Sequence, residues 1–373
     1  MSIDTHNGSA NYYYGIAAAQ LGDVVNARDG LGIASLDPEY RSAAYAELAR
    51  LYLRDKDVTN AILYAQKSRD FNRYAIAPME IMALAYRLQG NAEKARVALA
   101  ELSAIQPLSP LVAMEQSLWN PGQPIAKNAF DRNELPQEVW LELASSYANR
   151  ALVAETEACL KMAGEHPLAL YWRAYLLSRS GKPFDELIVQ ANQLSPERVF
   201  PFRTELLPVL KWAALAGNNW KPLYYLALLL KEKNQPAEAL ELLTQLGEKP
   251  DFAPFYAVRA LWNTDFPVKM VRDFQKAASL DPNEWRYVKL QVQYYIKQKY
   301  YPTALQLVEA YRSEHPGNLI MDMLYAKTLL LDRQFANCDA LLAKLNIIPF
   351  EGATEGRSLY WEAKLMQAVD QFE

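Results

Sequence analysis

Two Glu-His-Pro triplets are the residues most suggestive of chemistry in this 373-residue chain. His166 and His315 each follow a glutamate and precede a proline, and imidazole beside carboxylate is common in metal sites and in acid–base catalysis. Both triplets, however, occupy the same place in an internal repeat, and in other copies that place holds Asp37-Pro38 and Asp281-Pro282. No His, Cys or Asp partner lies at metal-ligand spacing. We therefore expect structural turns, with no catalytic residue, no metal and no cofactor.

Neighbouring aromatic residues are a second candidate, because exposed rings offer flat platforms on which sugars can stack. The clusters are Tyr12–Tyr14, Tyr171-Trp172, Tyr224-Tyr225, Tyr294-Tyr295, Tyr300-Tyr301 and Tyr360-Trp361. Most of their members fall at positions that helical repeats bury between hairpins. Core packing is the main prediction for these clusters, and carbohydrate contact is the alternative.

The elements that would position any such site repeat every 34 residues between Ser42 and Pro107. Two copies align, with Ala49 matching Ala83, Tyr52 matching Tyr86, Ala61 matching Ala95, Ala65 matching Leu99, and Ser68 matching Leu102. Two short amphipathic helices at this period predict a helical solenoid. Small residues at the matched positions allow the two helices of a hairpin to cross at the usual ~8–10 Å.

The order of small, aromatic and apolar residues in the second copy resembles the tetratricopeptide repeat (TPR). The matching residues are Ala83, Tyr86, Ala95, Leu99 and Pro107. This resemblance implies an all-α, right-handed superhelical solenoid of helix hairpins with a C-terminal capping helix. It also implies a protein-interaction module whose first helices line a concave groove.

A second, more particular resemblance covers almost the whole chain. Its segments are Asn11–Gly15, Tyr40–Tyr45, Asp70–Tyr74, Phe200–Arg203, Asn219–Tyr225 and Pro250–Tyr256. They are similar to the C-terminal repeat region of a family of large bacterial proteins with an uncharacterised, sugar-related N-terminal domain. The resemblance implies that the chain is part of a longer parent protein, and it carries no catalytic residue into this region.

The repeat pattern predicts about nine repeats in two blocks. Proline and glycine in Asn120-Pro-Gly-Gln-Pro124 exclude regular helix there. The predicted organisation is an N-terminal block of about three repeats at 1–118, an irregular connector at 119–135, and a C-terminal block of about six repeats at 136–373, with an extra helix near 205–216 and a capping helix at 357–372.

Composition excludes several classes of partner. With 39 basic and 43 acidic residues the net charge is −4, so no general attraction to nucleic acid or to anionic membranes is expected. The apolar runs are too short to span a bilayer, and the first residues do not resemble a secretory signal. Cys159 and Cys338 are interpreted as small buried hydrophobic residues. The compartment stays unknown.

The repeat register predicts which residues face the groove and would contact a partner. They are Arg50, Arg54, Glu80, Arg87, Tyr171, Tyr175, Lys221, Tyr224, Lys231, Arg286, Lys289, Gln293 and Lys327. From Lys221 onward they are mostly basic in an acidic chain, which favours an acidic partner segment stacking on Tyr224; lysines that merely solvate the surface are the alternative.

The main functional prediction is a non-catalytic scaffold for protein–protein interaction. Its groove would hold a protein or peptide partner, or the N-terminal domain of its own parent. An accessory region of a carbohydrate-active bacterial enzyme, with aromatic sugar contacts, is the alternative. A purely structural spacer is the third reading.

Overall fold

The computed structural model describes residues 5–119, 130, 134–345 and 353–370. Over these ranges the chain forms 21 helices and no strand. Eighteen of the helices are paired in nine helix hairpins, which confirms the predicted all-α solenoid class. None of the helices in these ranges is both long and apolar enough to cross a membrane.

The chain divides into two compact units, Met1–Gly217 and Asn218–Glu373. The helices of unit 1 are α1 (Gly8–Gln20), α2 (Val24–Ala34), α3 (Arg41–Arg54), α4 (Val58–Phe71), α5 (Ile76–Leu88), α6 (Ala92–Ile105), α7 (Pro110–Trp119), α8 (Pro136–Ala148), α9 (Val153–Met162), α10 (Pro167–Arg179), α11 (Asp185–Gln193) and α12 (Leu206–Ala216). The helices of unit 2 are α13 (Lys221–Glu232), α14 (Pro236–Leu246), α15 (Ala253–Trp262), α16 (Pro267–Leu280), α17 (Trp285–Lys297), α18 (Tyr301–Glu314), α19 (Leu319–Leu331), α20 (Phe335–Leu342) and α21 (Ala353–Asp370).

The turn inside most hairpins is built on one local motif. The second residue after the first helix adopts positive φ, as at Lys56 and Gly90. The next amide then donates back across the helix end, from Asp57 N to Tyr52 O at 2.9 Å, which satisfies a terminal carbonyl. The Asp57 side chain in turn accepts from the Asn60 amide at 3.1 Å and caps α4. This double cap explains why short polar turns mark the repeats in the sequence.

The core lies between the helices at the predicted small positions. Ala49, Ala61, Ala83 and Ala95 are all buried, which confirms that the repeat register places them at helix crossings. In the first hairpin the crossing is tighter still, since a Cβ on Gly30 would lie 2.9 Å from the Asn11 carbonyl oxygen. Small residues are required there because backbone approaches backbone.

Three helices lie outside the hairpin pattern. α7 follows the third hairpin, and α12, predicted as an extra helix near 205–216, packs against α10. α21 packs on α20 through Leu359 and Ala363, as expected of a capping helix. Most of the predicted connector at 119–135 falls outside the described residues, so a joint there stays a prediction. The two compact units divide after Gly217.

Candidate functional site

The second helix of a hairpin is enclosed by two first helices. In unit 2, Val308 of α18 packs in one cluster with Val292 of α17 and Met321 of α19. Because each second helix covers one face of the first helices beside it, the uncovered face of the first helices lines the inner surface of the stack. A binding surface is therefore expected on the first helices.

Unit 1 has an open cavity of about 570 Å³ on this inner face, which we call the Arg50 cavity. Residues of α1, α3, α8 and the start of α12 line it. Arg50 pairs with Glu47 of the same helix at 2.6 Å, and Arg54 lies one turn further along α3. On the opposite side, Asn149 donates to the Glu205 carboxylate at 2.6 Å. The cavity thus presents charged groups of both signs.

A second cavity of about 560 Å³, the Glu80 cavity, is lined by parts of α5, α7 and α8. Arg150, just after α8, donates to Glu80 of α5 at 2.6 Å, and both side chains are mostly buried. Glu138 and Glu142 of α8 also line the cavity. Three carboxylates therefore border this cavity, and arginine side chains of the same unit neutralise part of their charge.

Arg203 reaches the Glu80 cavity from the connection before α12. Its guanidinium donates to Glu138 Oε2 at 2.7 Å, to the Glu138 carbonyl oxygen at 2.9 Å and to Glu142 Oε2 at 3.0 Å. His166 Nε2 lies 3.5 Å from the other Glu138 oxygen. Burial by itself raises the pKa of Glu138, but the interactions with His166 and Arg203 outweigh it and hold the pKa below its ordinary value.

Sequence reasoning missed this arrangement around Arg203. Glu138, Glu142 and Asn149 share one face of α8 because they are spaced by four and seven residues. This spacing could have been used to predict that they lie together. Arg203, by contrast, is 65 positions from Glu138. A 34-residue period cannot predict that contact.

Arg87 is not a groove residue as predicted, because it belongs to a buried ion network. Its guanidinium pairs with Glu115 of α7 at 2.5 Å and with Glu155 of α9 at 2.7 Å. The Tyr147 hydroxyl of α8 donates to Glu115 at 2.8 Å. Burial raises the pKa of the Glu115 carboxyl above its ordinary value, and the favourable pairing with Arg87 only partly offsets this. The network joins helices on both sides of the predicted connector.

Three further predicted groove residues are also buried, so the prediction that they face solvent is wrong. Tyr171 is fully enclosed and donates to Asn192 Oδ1 at 2.6 Å. Tyr224 is covered by aromatic rings, including that of Phe255 at 5.7 Å. Lys221 is buried as well, and that burial lowers the pKa of its ammonium group. Neither tyrosine can serve as an open platform for a sugar ring.

The remaining predicted aromatic, Tyr175, is half-buried and meets Trp212 of α12 edge-on at 5.7 Å. The extra helix α12 therefore covers part of the surface that the register assigned to a partner. This covering of the surface by α12 cannot be predicted from the 34-residue period, because α12 is not part of a repeat.

The predicted basic residues of unit 2 are largely engaged within the chain. Arg286 pairs with Glu284 at 2.7 Å, and Lys327 pairs with Glu355 at 3.2 Å. Lys231 lies over the ring of Trp262 at 5.3 Å and Lys289 over the ring of Trp285 at 5.4 Å. Gln293 of α17 is exposed. Of these four basic residues, Lys231 and Lys289 have no carboxylate partner within the described part of unit 2.

The candidates for catalysis occupy structural positions. Cys159 and Cys338 are both buried free thiols, and burial raises their pKa to about 12 and about 11, far from the thiolate form. His315 stacks on Tyr311 with ring centroids 4.5 Å apart. Among the residues that the structure describes, no three His, Cys, Asp or Glu side chains converge to hold a metal ion.

No protein-family model matches the sequence, and no curated protein matches it. Solved structures do resemble it. The yeast Tom70 crystal structure is 15% identical over 96% of this chain and 83% of that chain, with a TM-score of 0.33. A tetratricopeptide repeat protein from Parabacteroides merdae is 13% identical over 96% and 98%, with a TM-score of 0.26. The TPR domain of P58(IPK) is 11% identical over 89% and 99%, also with a TM-score of 0.26.

Proposed function

We propose that this chain is a non-catalytic scaffold for protein–protein interaction, and that the inner face of unit 1 holds a segment of the partner. The Arg50 cavity carries the proposal. Its charged and amide side chains come from α1, α3, the C-cap of α8 and the residue just before α12, away from the buried core, and they line an opening of about 570 Å³. No packing role requires Arg50 and Glu47 to be there, since both stay partly exposed while paired.

The chemistry of the lining favours a polypeptide. Pockets for small organic ligands are mostly apolar and enclosed, whereas this cavity is open and offers donors and acceptors of both signs. Arg50, Arg54 and Gln20 can donate to backbone carbonyls, and Glu47 and Glu205 can accept from backbone amides. Such a lining suits the many regularly spaced polar groups of a peptide backbone.

Unit 2 supports a second contact, with an acidic segment. Lys231 and Lys289 hold their ammonium groups over indole rings, so a carboxylate that approaches them displaces no existing ion pair. Arg286 and Lys327, in contrast, would first have to leave Glu284 and Glu355. We assign the acidic contact to the two lysines.

The partner segment belongs either to a separate protein or to the N-terminal domain of a longer parent chain. Either one satisfies the same groups in the Arg50 cavity. A carbohydrate-binding role has less support, because the inner-face tyrosines Tyr171 and Tyr224 are buried.

Charge reversal at Arg50 tests the proposal. With the tagged chain immobilised in an extract of its source cells, Arg50→Glu should reduce capture of specific partners at least tenfold, because it places two carboxylates side by side in the cavity. Arg96→Glu, at an exposed position on the second helix α6, makes the same charge change and should leave capture unchanged. Quantitative mass spectrometry of the captured proteins measures both. Equal capture by Arg50→Glu and by the unmodified chain would contradict a partner site in this cavity.

A further inference from the structure

Residues 199–205, which we call the Arg203 segment, precede α12 and contact α8 and its C-cap through Arg203 and Glu205; residues 199–203 of the segment lie outside any helix or turn. We propose that this face of α8 is a binding site for an extended, arginine-bearing peptide of a partner, and that the Arg203 segment occupies the site until that peptide displaces it. The inference rests on the proposed scaffold function and names the chemistry of the partner segment.

The length of the connection is the first observation. α11 ends at Gln193 and α12 begins at Leu206, which leaves twelve residues, 194–205, between them. The link between the hairpins α3/α4 and α5/α6 has only the four residues 72–75. The additional residues do not form a helix, and two of them contact α8 and its C-cap: Arg203 donates to Glu138 and Glu142, and Glu205 accepts from Asn149.

The Arg203 segment binds as an extended peptide binds a surface. Val199, Pro201 and Arg203 are buried, whereas the side chains between them, Phe200 and Phe202, are 54% and 43% exposed. This alternation with period two is the pattern of an extended chain with one face against a partner. The ring of Phe202 lies 4.3 Å from Arg203 Cζ, so it helps to hold the guanidinium, and both phenylalanines leave a large part of their rings exposed.

Arginine is the specificity element of this segment. The Arg203 side chain is only 4% exposed, and its guanidinium makes three hydrogen bonds to α8, two of them to different carboxylates. Glu138 and Glu142 stand one turn apart, so a planar fork of donors reaches both at once. A lysine ammonium at this place could not bridge the two carboxylates and the carbonyl oxygen in the same plane. The α8 face therefore binds a guanidinium group in preference to an ammonium group.

The surroundings allow exchange of one segment for another. Arg203 lines the open Glu80 cavity of about 560 Å³, so a second guanidinium has space to approach the same carboxylates. α12 is held independently, because Trp212 packs on Tyr175 and on Phe184 with centroids 5.7 and 5.1 Å away. The Arg203 segment can leave α8 without releasing α12. The bound Arg203 segment competes with an external peptide. The apparent affinity for that peptide is the intrinsic affinity multiplied by the fraction of molecules in which the site is empty.

The test mixes the full chain with a fluorescein-labelled peptide that has the sequence of residues 197–205. Fluorescence anisotropy measures how tightly the peptide binds. Arg203→Ala empties the site, and we expect this variant to bind the peptide at least ten times more tightly than the unmodified chain does. The same peptide with alanine in place of its arginine should bind the variant at least ten times more weakly. Adding Glu138→Gln and Glu142→Gln to the Arg203→Ala chain should abolish the preference for arginine.

Three results would overturn the inference. One is absence of peptide binding by a folded Arg203→Ala chain, and another is equal binding of the arginine and alanine peptides. If Arg203→Ala does not fold, Arg203→Lys replaces it; failure of both to fold would show that the segment is a fixed structural element. The experiment contains no external partner, so it can fail while capture through Arg50 persists, in which case the scaffold function stands and only the α8 site falls.

Discussion

Arg87→Met should lower the free energy of unfolding by about 3–5 kcal/mol, because it leaves Glu115 charged and unpaired in the core. Glu115 is 0% exposed, and Arg87 and the Tyr147 hydroxyl are its hydrogen-bond donors among the described side chains. Methionine preserves most of the volume of the arginine side chain, so the loss is mainly electrostatic. Urea unfolding followed by circular dichroism measures it.

The pH dependence of that loss identifies its cause. Without Arg87, the already raised pKa of Glu115 rises further. The protonated carboxyl causes no loss of stability below its unfolded pKa of about 4.3. The loss develops as pH rises through the folded pKa, where the buried group must become charged. The deficit of Arg87→Met should therefore be smallest near pH 5 and largest near pH 8. Adding Glu115→Leu should recover part of the loss at pH 8.

Arg96→Met is the matched control for Arg87, since Arg96 is exposed on α6; it should change stability by less than about 0.5 kcal/mol. A deficit below about 1 kcal/mol in Arg87→Met, or one that does not vary with pH, would show that the network is not a buried charge cluster.

In unit 2, Arg259→Met is expected to lower the free energy of unfolding by a similar amount, about 3–5 kcal/mol. Arg259 of α15 holds the buried Asp273 of α16 through two hydrogen bonds of 2.7 and 2.8 Å. The same guanidinium donates to the Gly247 carbonyl oxygen at 2.5 Å, just after the end of α14. Its removal leaves one buried carboxylate and one helix-terminal carbonyl without their donor.

The control for Arg259 is Arg272→Met, next to Asp273 in the chain. Arg272 is 73% exposed and its partner Glu248 is also exposed, and pairs of this kind contribute about 0–1 kcal/mol. If both variants unfold at the same urea concentration, the pairing of Arg259 with Asp273 does not stabilise unit 2.

The core of the fold could be predicted from the sequence because it depends on contacts that repeat. Ala61 and Ala95 lie 34 positions apart and meet the same environment, so their burial follows from the period alone. The capped turns are similarly local, as the shared role of Asp57 and Asn91 before α4 and α6 shows. Each of these features involves only neighbouring helices.

The candidate site could be predicted only in part, because its contacts join residues that no period relates. Arg150 meets Glu80 across 70 positions, and Arg203 meets Glu138 across 65. Tyr224 lies where the register expects solvent, yet rings such as Phe252 at 6.1 Å cover it. The repeat register assigns a side chain to a helix face. It does not show whether an extra helix or a long connection covers that face.

The basic surface expected in unit 2 was overestimated for the same physical reason. Lys327 is neutralised by Glu355, which stands on α21, a helix outside the repeat pattern. Arg286 is neutralised by Glu284, the residue that also caps α17 through its side chain. Charges that look unopposed along one helix are thus offset by residues at helix ends and on capping elements.

Site-specific photocrosslinking tests the central claim, that the inner face of unit 1 binds a protein, most directly. A benzophenone side chain is placed at Gln20, which is exposed and lines the Arg50 cavity, or at Val97, which is exposed on the second helix α6. After irradiation in an extract of the source cells, the account predicts a specific protein adduct from Gln20 and none from Val97. An adduct from Val97 with none from Gln20 would contradict it.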